Sequence, residues 1–321
     1  MTETGSAPLP VVALTGATGF IGTALREHLI AAGYRVRALY RPQRGRVLEN
    51  APGLKWVAGD LADRAALTAL TAGAGVFIHC AGKVRGATRA DFDPVNEAGV
   101  VDTVQAAERE PGCTRYLLLS SLAAREPQLS DYAGSKRAGE LALAANAGRL
   151  AWSVLRPPAV YGPGDREMLP LFQNMARGLA PIPGDGRGRF SLIYVDDLAA
   201  AVVDWVAAGG GRGETYELDD GHVGGYDWDT VLATAARVLR GSKPIRRVPV
   251  PAAVLRLAGG ANLAAARLFG YSPMLTPGKV REITHADWVG DGRAFTSATG
   301  WQPRFGFERG LQCTFGKPTN A

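Results

Sequence analysis

VVALTGATGFIG, residues 11–22, is the stretch on which the fold turns. Val11 to Leu14 is a short apolar run of the kind shown by a strand buried on both faces. Gly16, Gly19 and Gly22 follow in a G-x-x-G-x-x-G spacing. FIGTALREHLIAAG then sets Phe20, Ile21, Leu25 and Leu29 at helical intervals before stopping at Gly33. Strand, glycine turn and helix together give a glycine motif its meaning. The glycines let the backbone turn sharply and approach a pyrophosphate, and the helix N-terminus presents free N–H groups and partial positive charge to it. The bland alternative is a βα turn that merely contains three glycines. It is disfavoured because all three fall on the pattern.

The next apolar run, YRVRALYR (34–41), completes a βαβ unit. An NAD-binding unit generally ends this strand with an acid that holds the ribose 2′-hydroxyl. Here Tyr40 and Arg41 stand instead, with Arg44 and Arg46 close behind. Arg41 and Arg44 are suited to pair with a 2′-phosphate, so NADP(H) is the expected cofactor, with NAD(H) the alternative.

The totals agree with a soluble globular chain. It has 321 residues, 46% hydrophobic and 21% charged, enough for a substantial core. Cys80, Cys113 and Cys313 are far apart and odd in number, which excludes a disulfide framework and points to a reducing compartment. No leader pattern opens the chain and no run of about 18 apolar residues occurs, so a cytoplasmic protein without an integral membrane span is expected. The net charge of +6 comes from basic residues scattered singly, which suits a phosphate-bearing ligand better than a nucleic acid. His28, His79, His222 and His285 show no paired spacing, so no metal is expected, and His79 reads as structural.

A second stretch carries candidate chemistry: LSSLAAREPQLSDYAGSK, residues 119–136. Tyr132 and Lys136, at i and i+4, share a helix face, and Ser120 and Ser121 precede them. A Tyr and a Lys four apart are by themselves ordinary helical surface residues; the glycine loop upstream is what raises them to candidates.

At this point the sequence resembles the extended short-chain dehydrogenase/reductase family over nearly its whole length. The motifs, in order, are TGATGFIG (15–22), GDLAD (59–63), HCAG (79–82), VNEAG (95–99), the Y-x-x-x-K pair, LRPPAVYGPGD (155–165), RFSLIYVDDLAAA (189–201) and TGWQPRFGFERGL (299–311). The resemblance implies a Rossmann-type, doubly wound parallel α/β sheet over residues 1–165. Strands near 189–220 return to it, and a smaller substrate lobe occupies 166–321. It assigns the nucleotide loop to Gly16, Thr18, Gly19, Phe20, Ile21 and Gly22. Asp60 and Leu61 would lie at the adenine, Ala81 and Gly82 under the ribose, and Pro158 and Val160 at the nicotinamide. Ser121, Tyr132 and Lys136 would be catalytic, with Asn96 beside them. Lys136 would hold the nicotinamide ribose and depress the phenol's pKa, Tyr132 would exchange a proton with the reacting oxygen, and Ser121 would polarise it. Ser121 is preferred to Ser120, which is free to satisfy the strand end. A homodimer paired through helices is implied as well.

One departure stands out. Ten residues separate Ser121 from Tyr132, fewer than relatives usually have, and this shortening is expected to open the substrate pocket on that side. Beyond Asp165 the sequence reads as a helix, a glycine- and proline-rich loop, a strand over 214–220, and helices over 226–240 and 252–269. The last is mostly apolar. It is expected to pack over an apolar substrate pocket, with a membrane-surface role as the alternative.

Three functions are open. The first is an NADP(H)-dependent reductase or dehydrogenase of a carbonyl or secondary alcohol, resembling the dihydroflavonol-reductase and 3β-hydroxysteroid-dehydrogenase branch; Arg41 and the apolar helix favour it. The second is a nucleotide-sugar epimerase with retained NAD, for which Arg189, seven residues before Asp196, would hold the substrate diphosphate. The third is a non-catalytic dinucleotide-binding protein, which the presence of both Tyr132 and Lys136 disfavours. A 4,6-dehydratase is less suited still, because Leu122 and Ala123 follow Ser121 where such enzymes carry Asp-Glu.

Overall fold

The computed structural model describes residues 9–42, 48–211 and 213–316. Strand β1 (Val11–Thr15) leads through the glycine turn into α1 (Phe20–Ala31) and then β2 (Arg35–Tyr40). β3 (Leu54–Ala58), α2 (Arg64–Thr71), β4 (Ala74–His79), α3 (Arg89–Asn96) and α4 (Ala98–Arg109) follow, then β5 (Arg115–Leu119), α5 (Asp131–Asn146) and β6 (Ala151–Arg156). With β11 (Glu214–Glu217) these form one seven-stranded sheet in the order β11-β6-β5-β4-β1-β2-β3, every pair parallel. The expected doubly wound sheet is therefore present, and the strand over 214–220 joins it beside β6. Chain direction across the sheet reverses between β1 and β4. The carboxyl ends of those strands form the crevice where such sheets take ligands.

Apolar runs bury both faces, as the sequence of β1 requires: Val12, Ala13 and Leu14 are all fully buried. Leu14 faces a core built with Leu25, Leu198, Val202, Trp205 and Phe295, which come from α1, α7 (Val195–Ala207) and α11 (Arg293–Thr299). Ala13 faces the other core, with Leu70, Phe77, Val104, Tyr116 and Leu143.

The remaining elements are α6 (Leu169–Ala176), β8 (Leu179–Pro183), α8 (Trp228–Arg240), β12 (Arg246–Val250), α9 (Ala252–Phe269), α10 (Pro277–Ile283) and α12 (Phe307–Thr314). Small strand pairs are β7 (Ala159–Tyr161) with β10 (Leu192–Tyr194), and β9 (Arg189–Phe190) with β13 (Asp287–Trp288). Tyr161, Phe172, Tyr226 and Phe307 pack in a third core here. The stretch read as a proline-rich loop contains β8, paired in parallel with β12. Prolines are tolerated because a two-stranded ribbon leaves half of its N–H groups unpaired.

One close approach between helices is at Gly139 on α5. A Cβ there would lie 2.1 Å from the backbone oxygen of Asn96, at the α3–α4 junction. Alanine in a helix interior ordinarily gains about 1 kcal/mol over glycine. Here that gain is outweighed, because a backbone oxygen cannot step aside without shifting two helices. Gly139→Ala is expected to lose about 1–3 kcal/mol, read as a lower urea midpoint. A midpoint at or above that of the wild type would show that the helices have room.

Candidate active site

The glycine turn is jammed against the end of β4. Gly16 has φ +71, and a Cβ on it would sit 2.6 Å from the Ala81 nitrogen; one on Gly22 would sit 2.0 Å from the Gly16 oxygen. Both are positions only glycine fills. The turn's outer residues, Thr18 and Gly19, are exposed. Helix α1 starts at Phe20 with no side-chain cap and no acid in its first turn, so the N–H groups around Phe20 and Ile21 face the crevice uncovered by any carboxylate. Arg41, exposed, follows β2; Arg44 lies outside the described residues. Asp60 is exposed beyond β3, where its carboxylate accepts from the Ala62 N–H at 2.9 Å. Leu61 packs beneath Gly99 at the start of α4.

Across the crevice, the segment after β4 is held by Asn96. Its Oδ1 accepts from the Lys83 N–H at 2.8 Å, and its Nδ2 donates to the Lys83 oxygen at 2.9 Å and to Ser135 Oγ at 2.8 Å. Asn96 thus joins the loop through Ala81 and Gly82 to α5. It positions both and touches neither Tyr132 nor Lys136 in these contacts. His79 is buried in the core: its Nδ1 lies 3.2 Å from both the Thr15 and Thr103 hydroxyls, and burial pulls its pKa down to about 3. The sequence reading of His79 as structural agrees with these contacts.

The serine pair divides cleanly. Ser120, buried, donates to Glu140 Oε1 at 2.6 Å. Ser121 accepts from the Ala123 N–H at 3.2 Å, and its hydroxyl also meets the Tyr132 phenol. The expected depression of the phenol by Lys136 is not seen: burial pushes it up to about 12, the Ser121 hydroxyl pulls it back and Glu282 raises it further. Lys136 is buried, its Nζ donates to the Leu119 oxygen at 2.8 Å, and burial lowers it to about 8 against the pull of Cys80 and Glu140. A Cβ on Gly82 would come within 3.8 Å of the same Nζ, so the lysine nitrogen lies beside the loop that follows β4. Pro158, on the β6–β7 connection, and Val160, within β7, are half-buried. That connection is tied to the serine turn by the Leu122 N–H donating to the Pro157 oxygen at 2.9 Å.

The shortened connection does not simply open the pocket. Helix α10 fills the side that it leaves. Arg281 Nε donates to the Leu129 oxygen at 2.8 Å, and Ser130, which caps α5, donates to the buried Glu282. Glu282 also pairs with Lys279 at 2.7 Å, and the Lys279 ammonium lies 5.5 Å from the Tyr132 ring centre. A cavity of about 240 Å³ reaches Tyr132 here, walled in part by Val84, Phe92, Leu263, Arg267 and Met274. Arg189 lies elsewhere. Its guanidinium donates to the Gly224 and Gly225 oxygens at 2.7 and 2.8 Å and faces Asp227 at 3.5 Å.

Residues 12–218 match the model of the NAD dependent epimerase/dehydratase family. The chain belongs to that family. It is 40% identical over 284 residues to a ceramide reductase of Caulobacter vibrioides, covering 87% of this chain and 86% of the relative. It is 31% identical over 212 residues to a 2-alkyl-3-oxoalkanoate reductase of Stenotrophomonas maltophilia, covering 59% and 63%. In fold it is similar to a UDP-glucose 4-epimerase of Thermotoga maritima, with a TM-score of 0.72, 20% identity and coverage of 95% and 97%. Family and reductase relatives together make this an NAD(P)-dependent enzyme of the oxidoreductase/epimerase type.

The residues fit the dinucleotide that the epimerase/dehydratase family takes. A pyrophosphate needs glycine backbone and open N–H groups, and Gly16, Gly19 and the start of α1 provide them. Sequence reasoning missed three groups: Glu140, Ser130 and Glu282. Glu140 had a signal, since it continues the Tyr132, Lys136 stripe by one more helical turn. Glu282 had none, because its contact with Ser130 spans 152 positions.

Lys136 carries a pH signature. Its pKa of about 8 lies below its ordinary 10.5, so between those values the unfolded chain binds more protons, and stability from this group rises with pH. From about pH 8 to about pH 10 the wild type is expected to gain about 2 kcal/mol relative to Lys136→Met, measured by urea unfolding. Parallel pH profiles for the two proteins would refute the perturbed lysine.

Proposed function

We propose that the chain is an NADP(H)-dependent ketoreductase that reduces a carbonyl on a long aliphatic molecule to a secondary alcohol. The observation that carries this reading is the pairing of the Ser121 and Tyr132 hydroxyls where the cavity reaches Tyr132, with Lys136 one helical turn on. Bound NADPH would supply the hydride to the carbonyl carbon. Ser121 and Tyr132 donate hydrogen bonds to the carbonyl oxygen, and Tyr132 passes its proton to that oxygen as the C–O π electrons move onto it. A phenol pushed up to about 12 holds its proton at neutral pH, which suits the reducing direction. Lys136 presents its ammonium to the ribose wall and to the charge left on the phenolate.

The substrate class draws on two supports. Val84, Phe92, Leu263 and Met274 give the cavity an apolar wall beside the charged Arg267, Lys279 and Glu282, and the relatives named above are a ceramide reductase and a reductase of a 2-alkyl-3-oxoalkanoate. Arg189 weighs against the nucleotide-sugar alternative, since its nitrogens are engaged with two backbone oxygens and Asp227. Arg41, exposed at the end of β2 with no ion-pair partner among the described residues, supports the NADPH preference.

NADPH consumption with 3-oxo esters of increasing chain length tests the reading. We expect kcat/KM to rise with length, and Tyr132→Phe to cut kcat by about 10²–10⁴ while NADPH affinity stays within about twofold. Full turnover by that variant, or interconversion of UDP-sugars on retained NAD, would overturn it. For the cofactor, Arg41→Ala is expected to lose about tenfold or more of the NADPH-over-NADH preference. An unchanged ratio would place the 2′-phosphate elsewhere.

A further inference from the structure

Helix α9 is built the wrong way round for a helix in water. Of its 18 residues only Gly259 and Ala266 are buried. Val254, Leu257 and Leu268 are 55%, 77% and 77% exposed. Together with Ala261 and Ala264 they recur at intervals of three and four. At 100° per residue these five positions fall within an arc of about 80°, opposite the buried pair. Phe269, 75% exposed, and Tyr271 extend the apolar surface past the helix end. The inner face packs closely: a Cβ on Gly259 would meet Thr276 at 3.0 Å, just before α10. Along this inner flank Leu263 and Arg267 line the cavity that reaches Tyr132; the outer stripe covers no part of it.

Charge separates in the same region. Residues 230–281 contain nine Lys or Arg and no Asp or Glu, while the rest of the chain carries 27 basic against 30 acidic residues. The chain's entire positive excess therefore lies in the segment that contains α9. Arg256 and Arg267, eleven apart, emerge on one flank of the apolar stripe, and the exposed Arg246 lies on β12 just before α9. Among the described residues none of these three has a carboxylate partner.

We propose that α9 is a peripheral docking helix for an anionic phospholipid bilayer. Its outward stripe enters the interfacial layer, and Arg246, Arg256 and Arg267 meet the headgroup phosphates. No helix among the described residues is long and apolar enough to cross a membrane, so the helix lies in the surface plane. An apolar stripe supplies the insertion and the flanking cations supply the preference for anionic lipid. A second copy of the chain fits this face poorly, because a two-fold pairing would set Arg256 and Arg267 against their own mates. The location also joins docking to chemistry. Leu263, Arg267 and Met274, on the inner flank of α9 and the segment after it, wall the cavity that reaches Tyr132, so an aliphatic substrate can pass from the bilayer to the site beside the docked helix. That purpose rests on the ketoreductase reading; the docking does not.

Flotation of the purified full chain with vesicles tests it without any substrate. Vesicles of phosphatidylcholine with a one-third share of phosphatidylglycerol are expected to carry the protein up, and phosphatidylcholine alone to carry little. Leu257→Glu/Leu268→Glu and, separately, Arg256→Ser/Arg267→Ser should each weaken partition about tenfold or more, with unchanged melting temperatures. Reduction of a short, water-soluble ketone by Leu257→Glu/Leu268→Glu should match the wild type, so a failed ketoreductase reading would leave the vesicle result standing. Equal flotation of wild type and Leu257→Glu/Leu268→Glu, or none by either, overturns the proposal. So does a wild-type dimer in sedimentation that this variant dissolves, since α9 would then be a self-association surface.

Discussion

One buried carboxylate sets the geometry on which the candidate site depends. Glu140 projects from α5 toward the carboxyl ends of β5 and β6, where it accepts from Ser120 at 2.6 Å and from two Arg156 nitrogens at 2.8 and 2.6 Å. Arg156 and Glu140 are both largely sheltered from water. Such a pair adds little net stability over well-packed apolar residues, yet losing Glu140 strips the buried Arg156 of this carboxylate, while losing Arg156 leaves Glu140 only the half-exposed Arg137 at 3.0 Å as a cation. Its consequence is positional. It fixes α5 along its axis against the sheet, so that Tyr132 and Lys136, two and one helical turns before Glu140, reach Ser121 and the end of β5.

The same helix is held at its start from a distant part of the chain. Ser130 both accepts from the Ala133 N–H and donates to Glu282, so α10 docks onto the cap of α5. Trp288 Nε1 in turn donates to the Glu282 backbone oxygen at 2.8 Å, and Arg125 donates to the Asp287 and Val289 oxygens at 2.6 and 2.8 Å. The short Ser121-to-Tyr132 connection makes this docking possible, because a longer excursion would occupy the same space. The trimmed loop and the C-terminal segment are thus two halves of one wall.

These contacts explain which features were legible from sequence. Gly16, Gly19 and Gly22 announced themselves because a sharp strand-to-helix turn admits few other residues, and both Gly16 and Gly22 prove to be in contact with backbone. The Tyr132–Lys136 spacing is local, so it survives translation into structure unchanged. Choosing between Ser120 and Ser121 needed the position of Glu140, which depends on how α5 lies against the sheet. The role of α10 is non-local and has no periodic trace. The prolines of β8 suggested a loop, since their compatibility with a strand depends on which edge faces a partner. Exposure of the α9 stripe was illegible for the same kind of reason: an apolar helical pattern reads as core until the fold shows which face is packed.

Burial acts on the two titrating groups of α5 in opposite senses. It favours the neutral phenol of Tyr132 and the neutral amine of Lys136, because each avoids charge in a site walled by protein. Glu282 reinforces the first effect, whereas Cys80 and Glu140 oppose the second. A phenol that keeps its proton and a lysine whose charge is loosely held leave the site with little built-in charge at neutral pH. Since Glu282 belongs to α10, that bias depends on the C-terminal wall being in place. The segment that shapes the cavity therefore also helps to set the proton affinity of Tyr132, which the cavity reaches.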